Sequence, residues 1–224
     1  MESNKPVASV LRATLAGPAG AIEALIETPR HTPPKSFGVI CHPHPLFGGT
    51  LQNKVVHTVA RSFQELGAPT IRFNFRGVGA SSGSFADGIG ETEDALAVIA
   101  EGRKRWPHAA VWLAGFSFGA AVAFRAAARA GAQLLVTVAP AVRLIEVNDI
   151  KVPDCPWLIV QGDMDELVDP ASVLQWAAQL LPAPTVKVLP GVGHFFHGRL
   201  REIATLVVDF AHERGLARES EKPG

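Results

Sequence analysis

Two strand-like stretches between Val7 and Thr28 flank Gly17-Pro18-Ala19-Gly20, a pattern that predicts an antiparallel hairpin. Beyond Thr28, compact apolar runs of strand length recur at Phe37–Cys41, Pro69–Phe75, Ala109–Gly115, Leu134–Ala139, Pro156–Gln161 and Thr185–Leu189. Longer stretches with helical spacing lie between and after them, over Asn53–Leu66, Ile89–Trp106, Ser117–Ala130, Ala171–Leu181 and His197–Arg214. Strand alternating with helix predicts an α/β fold: an eight-stranded, mostly parallel sheet with an N-terminal antiparallel hairpin and helices on both faces. Ligands bind such sheets at the carboxyl ends of the strands, so the loops after the strands are where chemistry is sought. The stretch 141–155 between Pro140 and Pro156 is too short to fold as a helical cap, which predicts no cap domain and a site open to solvent. From about residue 215 to 224 the chain turns polar and charged, and a frayed tail is expected.

Composition narrows the class. A chain of 224 residues with 47% hydrophobic content is expected to form one domain, 1–224, with a full core. The 21 basic and 21 acidic residues cancel and form no basic cluster, which argues against nucleic-acid and anionic-membrane partners. No apolar run approaches the ~20 residues needed to cross a bilayer. The first residues carry no basic segment leading into an apolar one, so no signal peptide is expected. Cys41, on a predicted strand, and Cys155, in a proline-bounded loop, suggest neither a disulfide framework nor a zinc site. The expected setting is cytoplasmic, with the chain a monomer or homodimer.

The run Val111–Ala121 changes the picture most. An apolar strand leads into Gly115-Phe116-Ser117-Phe118-Gly119 and then into an alanine-rich helical stretch. A serine on a strand–turn–helix is forced into an exposed, strained position, and the flanking glycines let neighbouring backbone pass close. The helix that follows aims its free N–H groups and positive dipole end at charge developing beside the serine. Such a hydroxyl needs a base to take its proton and a third group to orient that base. Two aspartates, Asp163 and Asp165, lie in the loop just past the Pro156–Gln161 strand. Asp169, just before Pro170, is simply explained as a helix cap. His194 sits in a glycine-flanked loop after the last strand, from which it can swing toward Ser117.

With these residues in order, the chain resembles the α/β-hydrolase superfamily along nearly its whole length. It is most similar to small bacterial serine hydrolases without a cap, such as carboxylesterases and dienelactone hydrolases. That resemblance implies Asp165 as the acid, because Gly162, Asp165 and Val168 fit the family's Gly-x-x-Asp-x-x-Val pattern, and His194 as the base. Phe73–Ser81 is similar to the family's Arg-Gly-x-Gly-x-Ser loop, and Cys41–Gly49 stands where the family usually begins a loop with His-Gly. One oxyanion donor is the N–H of Phe118. For the other, Pro43 and Pro45 have no N–H, leaving His44, Leu46 and Phe47. Resemblance to the Ile-Phe-Gly loop of dienelactone hydrolases favours Leu46, and alignment on His-Gly favours His44; Leu46 is the expectation taken forward.

Other features have plainer readings. His42-Pro43-His44 lacks further metal ligands and reads as loop shaping. Gly77-Val78-Gly79-Ala80-Ser81-Ser82 lacks the third glycine of a dinucleotide fingerprint, so no cofactor is expected. Arg76 reads as a structural ion pair before a carboxylate clamp, and His197 as a surface or capping group. Phe47, Phe85, Phe195 and Phe196 could line an acyl pocket or simply pack. The expected activity is hydrolysis of small soluble esters through Ser117, Asp165 and His194. A thioesterase or peptidase would use the same residues, and a binding module without turnover is the alternative of another class.

Overall fold

The computed structural model describes residues 9–29, 33–145 and 151–216. Among them eight strands form one sheet: β1 (Ser9–Gly17), β2 (Gly20–Thr28), β3 (Ser36–Cys41), β4 (Thr70–Phe73), β5 (Ala110–Phe116), β6 (Leu134–Val138), β7 (Trp157–Gly162) and β8 (Thr185–Leu189). Their order is β1-β2-β4-β3-β5-β6-β7-β8. The pairs β1–β2 and β2–β4 are antiparallel, and every later pair is parallel.

Helices α1 (Lys54–Glu65), α2 (Ile89–Arg105), α3 (Phe118–Ala130), α4 (Pro170–Ala178) and α5 (Leu200–Glu213) cover both faces. Alternation along β5 shows how the layers divide. Val111 and Leu113 pack into the cluster with α2, α3 and α4, whereas Trp112 and Ala114 pack into the one with α1 and α5. Successive side chains of a strand point to opposite faces, so a central strand buried on both must be apolar throughout. In α3, Ala120, Ala121, Ala123, Ala126 and Ala127 are buried, and their small side chains let the helix lie close to the sheet.

Three predicted elements are shorter than the apolar pattern suggested. β4 ends at Phe73, because the N–H of Phe75 turns away from the ladder to the His42 ring. α4 ends at Ala178. α5 starts at Leu200, since Phe196 at φ 50° and Gly198 at φ 73° form turns that no helix can include. Leu216 still bonds back to Ala211 O, while the predicted tail over 217–224 and residues 146–150 of the Pro140–Pro156 link lie outside the described residues. No helix among the described residues is long and apolar enough to cross a membrane.

The connections set where a site can form. From β3 the chain crosses through α1 to β4 on one side, and from β5 through α3 to β6 on the other. The strand order therefore reverses between β3 and β5, and the loops leaving their carboxyl ends part to leave a crevice.

Candidate active site

Ser117 occupies the one position between β5 and α3, with φ 55° and ψ −116°. A serine pays strain there, and two glycines make the turn possible. A Cβ on Gly115 would run into the backbone of Gly119, and a Cβ on Gly119 into the carbonyl groups of Cys41 and His42. The close pass at Gly119 also presses the loop after β3 against the start of α3. The Ser117 N–H donates to Val138 O at 2.9 Å, and its carbonyl accepts from Ala120 at 3.0 Å and from Ala141 at 3.2 Å. Its main chain is thus pinned on both sides of the side chain.

The Ser117 hydroxyl lies 3.1 Å from His194 Nε2, and His194 Nδ1 lies 2.9 and 3.0 Å from the two oxygens of Asp165. An ionised carboxylate only accepts, so Nδ1 carries the proton and Nε2 turns a lone pair to the serine. The imidazole is 3% exposed and packs on Phe116, ring centroids 5.1 Å apart. Asp165 is also buried, at 7%. Oδ1 accepts from the N–H groups of Leu167 and Val168 at 2.9 and 2.8 Å, and Oδ2 from Gln161 Nε2 at 3.0 Å. Burial by itself would raise this carboxyl's pKa, but the bonds from His194, Val168 and Leu167 together outweigh it and hold the pKa below the ordinary value.

The competing aspartates are placed elsewhere. Asp163 accepts from the Gly191 N–H at 2.7 Å, and Asp169 caps α4 through Ser172 at 3.0 Å and Ala171 at 3.3 Å. Two residues that sequence reasoning missed also hold the histidine and the aspartate in place. Glu166 Oε2 accepts from the His194 N–H at 3.1 Å, and buried Gln161 braces Asp165. Neither carries a sequence signal, since each acts through a contact between segments far apart in the chain or through burial.

The loop after β3 departs from expectation at Leu46. Its N–H donates to His44 Nδ1 at 3.3 Å, capping the 3-10 turn Pro45–Phe47, and the Phe47 N–H donates to His44 O at 3.2 Å. Among the described residues, the N–H groups of His44 and Phe118 have no acceptor. A proline at residue 45 tightens the turn, and that turn engages the Leu46 amide internally. Of the three candidate donors, His44 is therefore the one with an unengaged amide. Its ring lies against Phe47, Phe85 and Phe118 at 4.7, 5.0 and 4.9 Å, and burial lowers its pKa against the opposing charges of Glu91 and Asp87.

His42 uses both ring nitrogens within the loops after β3 and β4. It donates from Nδ1 to Pro43 O at 2.6 Å and accepts the Phe75 N–H at Nε2, 3.0 Å away, and burial pushes its pKa down to about 4. Arg76 forms a two-pronged pair with Asp94 at 3.0 and 2.8 Å, which is the structural role read from sequence. Phe196 is fully buried in the core, while Phe47 and Phe195 are exposed beside the site and the exposed His197 ring lies 5.9 Å from that of Phe195.

A family model described as serine aminopeptidase, S33, matches residues 46–152. An α/β serine hydrolase without lid from Xanthomonas campestris is 38% identical, over 95% of this chain and 96% of that one, with a TM-score of 0.87. An α/β serine hydrolase homologue from Coxiella burnetii is 42% identical, over 92% and 97%, with a TM-score of 0.85. An uncharacterized protein of Rickettsia prowazekii (strain Madrid E) is 31% identical over 204 residues, 87% of this chain and 85% of its own length.

Proposed function

The chain belongs to the α/β-hydrolase superfamily, among its serine hydrolases without a lid, and we propose that it cleaves small, soluble carboxylic esters through an acyl-enzyme. The observation that carries this reading is the unbroken line from Asp165 through His194 to Ser117, at 2.9 and 3.1 Å, with the serine on a strained elbow. In the first half-reaction His194 Nε2 takes the Ser117 proton as Oγ adds to the ester carbonyl. Asp165 holds the Nδ1–H tautomer and stabilises the imidazolium. The alkoxide on the tetrahedral carbon is met by two amide donors, Phe118 and His44, the latter replacing Leu46. His194 then protonates the leaving alcohol, water enters, and the same steps in reverse release the acid. Each amide donor contributes about 3–4 kcal/mol to the barrier reduction.

The family model's peptidase description concerns residues 46–152, a span that holds Ser117 but neither Asp165 nor His194. The ester reading rests instead on the open, apolar surroundings of Ser117, where Leu46 is 67% and Phe47 86% exposed. Labelling with a fluorophosphonate tests the nucleophile: wild type takes up the probe and Ser117→Ala does not, while its melting temperature stays near wild type. A panel of esters, thioesters and aminoacyl amides tests the class. Short-chain esters are expected to be turned over fastest, with no rate jump above the micelle concentration. Full turnover by pure Ser117→Ala, or faster cleavage of amides than of esters, would overturn the reading.

A further inference from the structure

A stack of aromatic rings leaves the nucleophile elbow and ends in solvent. Phe118, which follows Ser117, is buried, and its ring lies 4.9 Å from that of His44. The His44 ring in turn lies 4.7 Å from that of Phe47, which is 86% exposed. Half-buried Phe85 closes the stack at the side, 5.0 Å from His44 and 5.7 Å from Phe118. Aromatic rings attract one another at such separations. Phe118 and His44 also carry the amides that meet the alkoxide in the reading above. The wall is thus joined to the reacting centre through the backbone of the residues that serve it.

Rings on surface loops commonly move, but these are held. The 3-10 turn Pro45–Phe47 seats His44 and Phe47, through the bonds from the Leu46 N–H to His44 Nδ1 and from the Phe47 N–H to His44 O. The chain just after Phe85 is clamped on Glu91, whose two oxygens accept from the Ala86 and Gly88 N–H groups at 2.9 and 2.8 Å. Order present before binding lowers the entropy cost of stacking a ligand. His44 Nδ1 accepts a hydrogen bond, so the imidazole is neutral and offers an uncharged π face. The charges that bear on this ring, those of Glu91 and Asp87, are both negative and set the wall against an anionic group.

Strand order says which half of an ester meets the wall. The loops bearing His44, Phe47 and Phe85 leave β3 and β4, on one side of β5, whereas Asp165 and His194 follow β7 and β8, on the other. His194 Nε2 protonates the leaving oxygen, so the alcohol departs on the β7–β8 side. The remaining bond of the carbonyl carbon, to the acyl group, is left to the β3 and β4 loops. Resting on the ester-hydrolase reading, we infer that the substrate's acyl group is an uncharged aromatic one, of the arylacetyl kind, selected by stacking on Phe47, His44 and Phe85. A methylene between carbonyl and ring lets the ring turn out of the carbonyl plane and onto the wall. Such an acyl group stays within the short-chain class, with a planar ring at the end of the chain.

The test compares ethyl phenylacetate with its isomer benzyl propanoate, which carries the ring on the alcohol, and with ethyl cyclohexylacetate, whose ring is saturated and puckered. In wild type, kcat/KM for ethyl phenylacetate is expected to exceed that for either of the others by about tenfold, the scale of one or two aromatic contacts. Phe47→Leu keeps apolar bulk but removes the ring. It should bring the phenylacetate-to-cyclohexylacetate ratio below about threefold, through a higher KM for the phenylacetate. Phe47→Trp restores a ring and should hold the ratio near wild type. Phe47 is largely exposed, so neither change unseats the core. A wild-type ratio near one, a preference for benzyl propanoate, a ratio unchanged in Phe47→Leu, or one lost equally in both variants overturns the inference. Failure of the ester-hydrolase reading looks different: none of these esters is cleaved in a Ser117-dependent way.

Discussion

Replacing Asp165 by Asn tests the proposed orienting role of the carboxylate beside His194 with little change in shape. Oδ1 of the asparagine can keep accepting from Leu167 and Val168, which hold the loop at 2.9 and 2.8 Å. The new amide NH₂ then replaces Oδ2, facing Gln161 Nε2 at 3.0 Å, a donor against a donor, and His194 Nδ1 at 2.9 Å. Oδ1, 3.0 Å from Nδ1, is already occupied by the Leu167 and Val168 amides, so the closer NH₂ favours the other tautomer: to accept from it, Nδ1 must lose its proton and Nε2 must gain one. A protonated Nε2 cannot take the Ser117 proton, so the imidazole is held in the wrong tautomer. The expected loss in kcat is on the order of 10⁴, about 5.5 kcal/mol of barrier, as for the same change in a Ser-His-Asp protease. Asp163→Asn is the matched control. Among the described residues its side chain accepts one hydrogen bond, at Oδ1 from the Gly191 N–H at 2.7 Å, which asparagine can still accept, so kcat should stay within about threefold. Both variants are assayed on one short ester at one pH, with urea unfolding to confirm that each is folded. An active Asp165→Asn beside a crippled Asp163→Asn would refute the assignment.

Gly119→Ala should lose on the order of 10² in kcat and about 1–3 kcal/mol of stability, because its methyl would collide with the Cys41 and His42 carbonyl groups and displace the loop bearing the His44 amide. Gly131→Ala, at φ 57° with open space around it, should cost only about 1 kcal/mol and leave kcat intact, so equal kinetic damage in both would remove the steric explanation. His42 supplies a pH dependence. Its folded pKa lies at about 4, below the ordinary 6.5, so its neutral form contributes stability above pH 6.5 that is lost as the pH falls toward 4. The full loss is about 3 kcal/mol. Denaturant unfolding between pH 7.5 and 4.5 should show His42→Gln less stable at pH 7.5 but with a shallower decline, and parallel declines would refute it.

Much of this site was legible in the sequence, for reasons that can be stated residue by residue. Ser117 announces itself because the elbow is local: strand, two glycines and helix are contiguous, and the two glycines are required by backbone that passes within contact distance. The strands and helices were legible because burial on both faces of a parallel sheet demands apolar runs, and helices demand a different period. Their ends were not: β4 stops at Phe73 because His42, from another loop, takes the Phe75 N–H.

The sequence alone thus determined the order of elements, the elbow serine and the short list of partners, all properties of neighbouring residues. Only the tertiary structure decided among them. Asp163 and Asp165 differ by two positions, yet one bonds Gly191 and the other meets the imidazole, because the loop folds around the Leu167 and Val168 amides. Leu46 and His44 likewise look interchangeable in the chain. A side-chain cap on a 3-10 turn engages one amide and leaves the other open, and that depends on where each N–H points after the loop is packed against α3. Hydrogen-bond direction is a property of the assembled loops, so composition and spacing could offer the candidates but not choose between them.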